Sequence, residues 1–275
     1  MKIFKNYLMV LLSFCLFSCA EEVIEVDLET AEPRLVVDAS IDWIKNTSGS
    51  EQKIKLTKTT GYYSDEYPIV YGAHVKVSNS NTTFAFIENP GTGEYICTDF
   101  QPTIGETYTL TISLDGETYT ATETLMGVPS IENKIDQNNE GGMGGNEVEL
   151  TYYYRDNAAE QNNYLYRIKN PRVAFPEYEA ENDENNQGNL VPVYYSSEDA
   201  NLKAGDIVNI KLYGISKRYY EYFRKLLAAS GADTGPFPTT PGAVRGNIRN
   251  ETNSANFAYG YFRLSEVDVK DYTVQ

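Results

Sequence analysis

From Leu35 onward, apolar positions recur at every second residue in short runs. Residues 35–41, 53–58, 74–77, 83–87, 95–98, 107–113 and 117–124 carry this alternation, the period of a strand with one buried face. In 53–58, Ile54 and Leu56 share one face with lysines on the other. In 107–113, Tyr108, Leu110 and Ile112 oppose threonines and Ser113. Turn residues separate the runs: Asn79-Ser80-Asn81, Asn89-Pro90-Gly91, and Asp115-Gly116, which is a hairpin signal. Seven short strands within about ninety residues predict an immunoglobulin-like β-sandwich over residues 31–127.

The even spacing stops at Met126-Gly127-Val128-Pro129, which sets an expected domain boundary near residue 128. Residues 136–147 are rich in Asn and Gly and predict a long loop, too polar to pack. No apolar strand leads into that stretch and no Lys-Ser/Thr follows, so it is not a phosphate loop. Strands are expected at 148–154, 164–168, 191–195, 207–213, 257–264 and 266–274. The acid-rich stretch 177–188 between them reads as a solvated loop. One helix is predicted at 216–230. Ser216 caps its start, Gly231 ends it, and Tyr219, Tyr220, Phe223, Leu226 and Leu227 form its apolar face. The fold class is therefore mainly all-β: a sandwich at 31–127, then a second β-rich domain at 128–275 with one packed helix.

The chain starts differently. Lys2 and Lys5 precede an apolar run from Leu8 to Phe17, too short for a bilayer and the right size for a signal peptide. The run ends Leu16-Phe17-Ser18-Cys19, which resembles a bacterial lipobox. Residues 1–18 are then a lipoprotein signal, Cys19 the acylated residue, and 19–30 a tether. Several acyl chains hold such a protein firmly to its membrane. Ala20-Glu21-Glu22, directly behind Cys19, resembles the acidic export signal that Bacteroidota use to send lipoproteins to the cell surface.

Composition narrows the chemistry. The net charge is −16, and removal of residues 1–18, which hold two lysines and no acids, takes it to −18. Phosphate backbones repel such a chain, so nucleic acid is not an expected partner. Cys15 leaves with the signal and Cys19 is acylated, so Cys97 stands alone in a strand context without a basic neighbour, a core thiol. The one histidine, His74, reads as a strand residue, not a metal ligand or catalyst. Asp183-x-Asn185-x-Gln187-Gly188 partly mimics a calcium loop, but Tyr194 stands where the bidentate Glu belongs. Neither a metal nor a cofactor is expected. Tyr152-Tyr153-Tyr154 and Tyr194-Tyr195 could stack on sugar rings, though in strands half of them must point inward.

Several segments in order carry a family resemblance: Glu25-Val26-Asp27-Leu28, Glu32-Pro33-Arg34-Leu35-Val36-Val37, Gly235-Pro236-Phe237, Ala243-Val244-Arg245-Gly246-Asn247-Ile248 and Ala258-Tyr259-Gly260-Tyr261-Phe262. They resemble the Bacteroidota lipoproteins called domain of unknown function 4249. That resemblance implies an outer-membrane lipoprotein working beside TonB-dependent receptors of the SusC type, with no catalytic residues attached. Arg245 and Asn247 read as structural residues around a tight Gly246. The expectation is thus a non-enzymatic, lipid-anchored, surface-exposed accessory or capping subunit of such a transporter. A free-standing glycan-binding module or adhesin is the alternative, and a hydrolase using two of the many carboxylates is a third.

Overall fold

The computed structural model describes residues 32–61, 64, 66–142, 145–197, 202–231 and 243–275. The expected lipidation residue Cys19, the expected export residues Glu21 and Glu22, and the stretches 1–18 and 19–30 read as signal and tether lie outside them, as does Gly235-Pro236-Phe237.

The first seven strands are β1 (Leu35–Ile44), β2 (Gln52–Lys58), β3 (His74–Ser78), β4 (Thr83–Asn89), β5 (Glu94–Cys97), β6 (Thr107–Leu114) and β7 (Glu117–Thr124). Their order is β1-β2-β5 on one side and β4-β3-β6-β7 on the other. β4 turns the corner between the layers, pairing with β3 through its first half and with β5 through its last residues. This order is that of an immunoglobulin-like sandwich. Its interior holds the alternating residues named above, among them Ile54, Leu56, Tyr108, Leu110 and Ile112. Tyr108, near the start of β6, turns its hydroxyl back to the preceding loop. It donates to the Gln101 carbonyl at 2.9 Å and accepts from the Thr103 N–H at 3.0 Å. Such a tyrosine corner pins the crossing between the two sheets.

The remaining elements are β8 (Ile131–Gly141), β9 (Glu147–Arg155), β10 (Asn163–Lys169), β11 (Glu177–Asn182), β12 (Leu190–Ser196), β13 (Ile207–Gly214), α1 (Lys217–Ala229), β14 (Arg249–Asn250) and β15 (Tyr259–Thr273). β12, β9 and β8 form a three-stranded sheet. It encloses a second core with β10 and β13, built on Tyr152, Tyr154, Tyr164, Tyr166, Tyr195, Val208 and Ile210. Buried tyrosines need partners for their hydroxyls. Tyr154 and Tyr166 bond each other at 2.8 Å, Tyr164 donates to Asp156 at 2.6 Å, and Tyr195 accepts from Asn170 at 3.0 Å.

β15 ties the whole together. It runs parallel to β1 from Tyr259 to Val267 and antiparallel to β13 from Val267 to Thr273. Phe262 and Leu264 enter the first core, while Tyr261 and Val267 turn to a third cluster under α1. The connection out of β7 is stitched along β15: Val128 N–H donates to Glu266 at 2.9 Å and Ile131 N–H to Asp268 at 2.7 Å. Residues 33–127 and 128–275, on either side of the expected boundary, meet within one compact unit, and residues 248–264 of the second half complete the first core.

Three expectations need correction. The Asn/Gly-rich stretch 136–147 is not a free loop. Its first part continues β8 to Gly141 and pairs with β9, with a register shift between Asn138 and Gly141. Residues 177–182 of the acidic stretch form β11, paired along its length with β10. In both, backbone hydrogen bonding to a neighbour overrides polar side chains that face water on an edge. The two last strands, 257–264 and 266–274, are one, because the polar residues at the join are buried and, apart from Nε of Arg263, which has no hydrogen-bond partner among the described residues, hydrogen-bonded. Arg263 donates to Asp42 at 2.7 Å and Ser265 at 2.6 Å.

α1 matches its prediction closely, with Ser216 accepting from Tyr219 N–H and Gly231 at φ +81° just past its end. Its face is narrower than expected. Tyr219 and Tyr220 are buried, Phe223 and Leu227 are half-buried, and Leu226 is exposed.

Candidate functional site

β11 pairs Glu177, Glu179 and Glu181 across from Ile168, Tyr166 and Tyr164 of β10. Side chains alternate faces along a strand, so the three glutamates share the side of the second core, while Tyr178, Ala180 and Asn182 face α1. The sheet β12-β9-β8 does not extend over β11, and the three carboxylates stay exposed. The result is an open groove of about 460 Å³ between the edges of two sheets. Its walls are the glutamates of β11, Tyr194, Tyr195 and Ser196 of β12, and Arg224 and Leu227 of α1, with Tyr166 and Ile168 as the floor.

Two aromatic rings stand at its rim, Tyr194 at 73% exposure and Tyr178 at 41%. Tyr178 packs edge-on against Phe223 at 5.8 Å between ring centres. Partial burial in the groove, and then the charge of Glu181, raise the Glu179 carboxyl above its usual value. The arrangement offers hydrogen-bond acceptors and aromatic faces, the lining of a site for polyhydroxy or cationic ligands.

The other candidates fall elsewhere. Cys97 is buried and donates to Asp99 at 3.1 Å, and burial pushes its thiol up to about 11. It is a core thiol, as the sequence indicates. His74 is exposed at the start of β3. Asp183, first residue of the calcium-like stretch, is buried and accepts from Asn162 N–H at 2.8 Å, so it ties the end of β11 to the start of β10. Among the described residues no group of three or more His, Cys, Asp or Glu is placed to hold a metal. Of the three neighbouring tyrosines, Tyr152 and Tyr154 are core, and Tyr153 faces outward and donates to Asp136 at 2.8 Å. The sequence pointed to Tyr194. It did not point to Tyr178 or the glutamates as a wall, although their every-second spacing was the available signal.

The segments around Arg34 and Arg245 converge on one ring. Their guanidinium carbons lie 3.9 Å and 3.6 Å from the centre of Phe257. Two planar cations that close to one centroid must stack on opposite faces. Gly246 beside them has no room for a β-carbon, which would overlap the carbonyl oxygen of Gly260. Gly260 at φ +94° similarly abuts Val37. Asn247 then bonds the backbone of Phe262 both ways, donating to its carbonyl and accepting from its N–H, each at 2.9 Å. This cluster is structural, and it fastens β15 into the first core.

Strand order, tyrosine corner and groove define an all-β protein of immunoglobulin-like type with a ligand-sized cleft at its second sheet pair. Its sequence is matched over residues 21–271 by the family described as Domain of unknown function (DUF4249), and the chain belongs to that family. No curated protein matches it in sequence. Among solved structures, a two fibronectin type-III domain segment from chicken tenascin is similar over 67% of this chain and 91% of that one. The identity is 10% and the TM-score 0.21, so the fold assignment rests on the strand order itself.

Proposed function

We propose that this protein is a surface-exposed outer-membrane lipoprotein that serves a SusC-type TonB-dependent transporter as a non-enzymatic accessory or capping subunit in substrate capture. One observation carries the reading: the basic start, the apolar run from Leu8 to Phe17 and Ser18-Cys19-Ala20-Glu21-Glu22 together form an acylation and export signature. The resemblance to Bacteroidota lipoproteins found beside such receptors supplies the partner. Acyl anchoring confines both proteins to one membrane plane, which raises their effective concentration and lets a modest contact hold. The groove between β11 and β12 supplies a place for substrate.

The test has two arms. Cys19→Ala should abolish acyl labelling and release the chain from the membrane fraction, and Glu21→Ala with Glu22→Ala should shield it from protease added to whole cells. A pull-down from gently solubilised outer membranes should then recover a TonB-dependent receptor. Recovery of the lipoprotein alone, with the receptor expressed, overturns the transporter role. A second reading, a free-standing glycan-binding module, is favoured by the exposed rings of Tyr178 and Tyr194 beside carboxylates. Retention on immobilised glycans without any receptor would select it.

A further inference from the structure

Four strands end the two sheets among the described residues: β14 and β11 in the long sheet, β12 and β8 in the short one. An unpaired strand edge is a template for another chain, and proteins blunt such edges by brevity, bulges or proline. β14 is two residues long. β8 breaks register twice, between Ile131 and Ile135 and between Asn138 and Gly141. β12 carries Pro192 at its middle. β11 has none of these backbone devices and is guarded only by charge, that of Glu177, Glu179 and Glu181, which repels acidic strands and admits basic ones. It is six residues of regular strand, without Pro, Gly or a register shift, paired with β10 on one side only.

We infer that β11 is a docking edge for an extended segment of a partner protein carrying Lys or Arg at every second position. The occupant follows from the side chains that flank the edge. An incoming strand sets its residues directly across from those of β11, and opposite charges in such cross-strand pairs attract while like charges repel. On the groove side it meets Glu179 and Glu181, which make no ion pair among the described residues, with Glu177 beyond them. On the other side it meets Tyr178, backed by Phe223, and Phe175 stands exposed just ahead of the strand. The matching segment therefore alternates basic residues, over the glutamates, with apolar or aromatic ones over Tyr178. Backbone pairing supplies affinity and the alternation supplies specificity, as in strand addition generally. The net charge of −16 speeds the approach of such a segment at low salt.

The inference does not depend on the transporter reading, because it concerns the edge and not the anchor. It is tested with the full mature chain and a labelled nine-residue peptide alternating lysine and valine, by fluorescence anisotropy. The peptide should bind more tightly than about 1 mM, the binding should weaken with salt, and an alternating glutamate–valine peptide should not bind. Amide exchange should slow across Tyr178–Asn182 on binding. Glu179→Lys with Glu181→Lys should weaken the peptide at least tenfold. Should that pair of changes disturb folding by circular dichroism, Glu181→Gln alone should still weaken it measurably. Absence of binding, equal binding by the folded variants, or protection on β8 or β12 instead of β11 overturns the inference.

Discussion

Asn247→Ala probes the attachment of β15 to the first core. Asn247 gives its amide to both backbone groups of Phe262, a residue whose side chain is fully buried. Alanine leaves one N–H and one C=O there without a partner. Each unsatisfied buried group costs ~1–3 kcal/mol, and these two bonds are part-buried, so the pair predicts a loss of about 1–4 kcal/mol. Total stability for a domain is ~5–15 kcal/mol, so the loss is a large share. Asn247→Asp sharpens the test. It keeps an acceptor for the Phe262 N–H but sets a carboxylate against the carbonyl, so it should cost at least as much as alanine at neutral pH. The assay is urea unfolding followed by the fluorescence of Trp43, the one tryptophan. It sits half-buried in β1 opposite Glu266 of β15, with its indole N–H on the Thr47 carbonyl. Circular dichroism provides the second probe, since coincident transitions are needed for a single free energy. A loss below about 1 kcal/mol for alanine, or wild-type stability for aspartate, refutes the reasoning.

Cys97 should resist thiol reagents at pH 8 in the folded protein and react once urea unfolds it; rapid labelling of the native state would contradict its buried, raised thiol. Glu117 accepts from Tyr119, Asn256 and Asn250, and these bonds, Tyr119 foremost, hold its carboxyl below the usual range. A depressed folded-state carboxyl stabilises above its ordinary value and loses that contribution as pH falls from about 4.5 downward. Glu117→Gln should therefore lower stability at pH 7 and flatten its decline under acid; an unchanged acid limb would sink the assignment. Phe223→Ala should cost about 1.5–2.5 kcal/mol, half the ~3–5 of a fully buried ring, because Phe223 is only half-buried against Tyr219 and Tyr178. A loss above about 4 kcal/mol would mean that the ring is far better packed than described.

The seven strands of the sandwich were legible because each has one dry and one wet face, which writes a period of two into the sequence. The helix was legible through Ser216 and its aromatic spacing. β8 and β11 were not, because β8 is polar on nearly all its length and β11 buries only Ala180, so neither shows apolar alternation, and both are held by backbone bonds that leave no trace in residue type. β15 was split in two at Ser265 because Arg263 and Glu266 read as surface residues, while their partners, Asp42 and Val128, lie far away in sequence. The groove was hidden for the same reason. It needs β11, β12 and α1 side by side, and only the register of β10 with β11 shows which way the glutamates point.

That one strand serves two cores has a consequence for how the molecule is made. β1 and β15 lie far apart in the chain, and 221 residues separate Asp42 from its partner Arg263. Contacts so distant in the chain make folding slow and collective. The first sandwich stays open along β1 until residues 259–267 are in place, because they supply its parallel neighbour. A chain cut short before Tyr259 keeps open edges on both β1 and β13, and exposed edges invite proteolysis and aggregation.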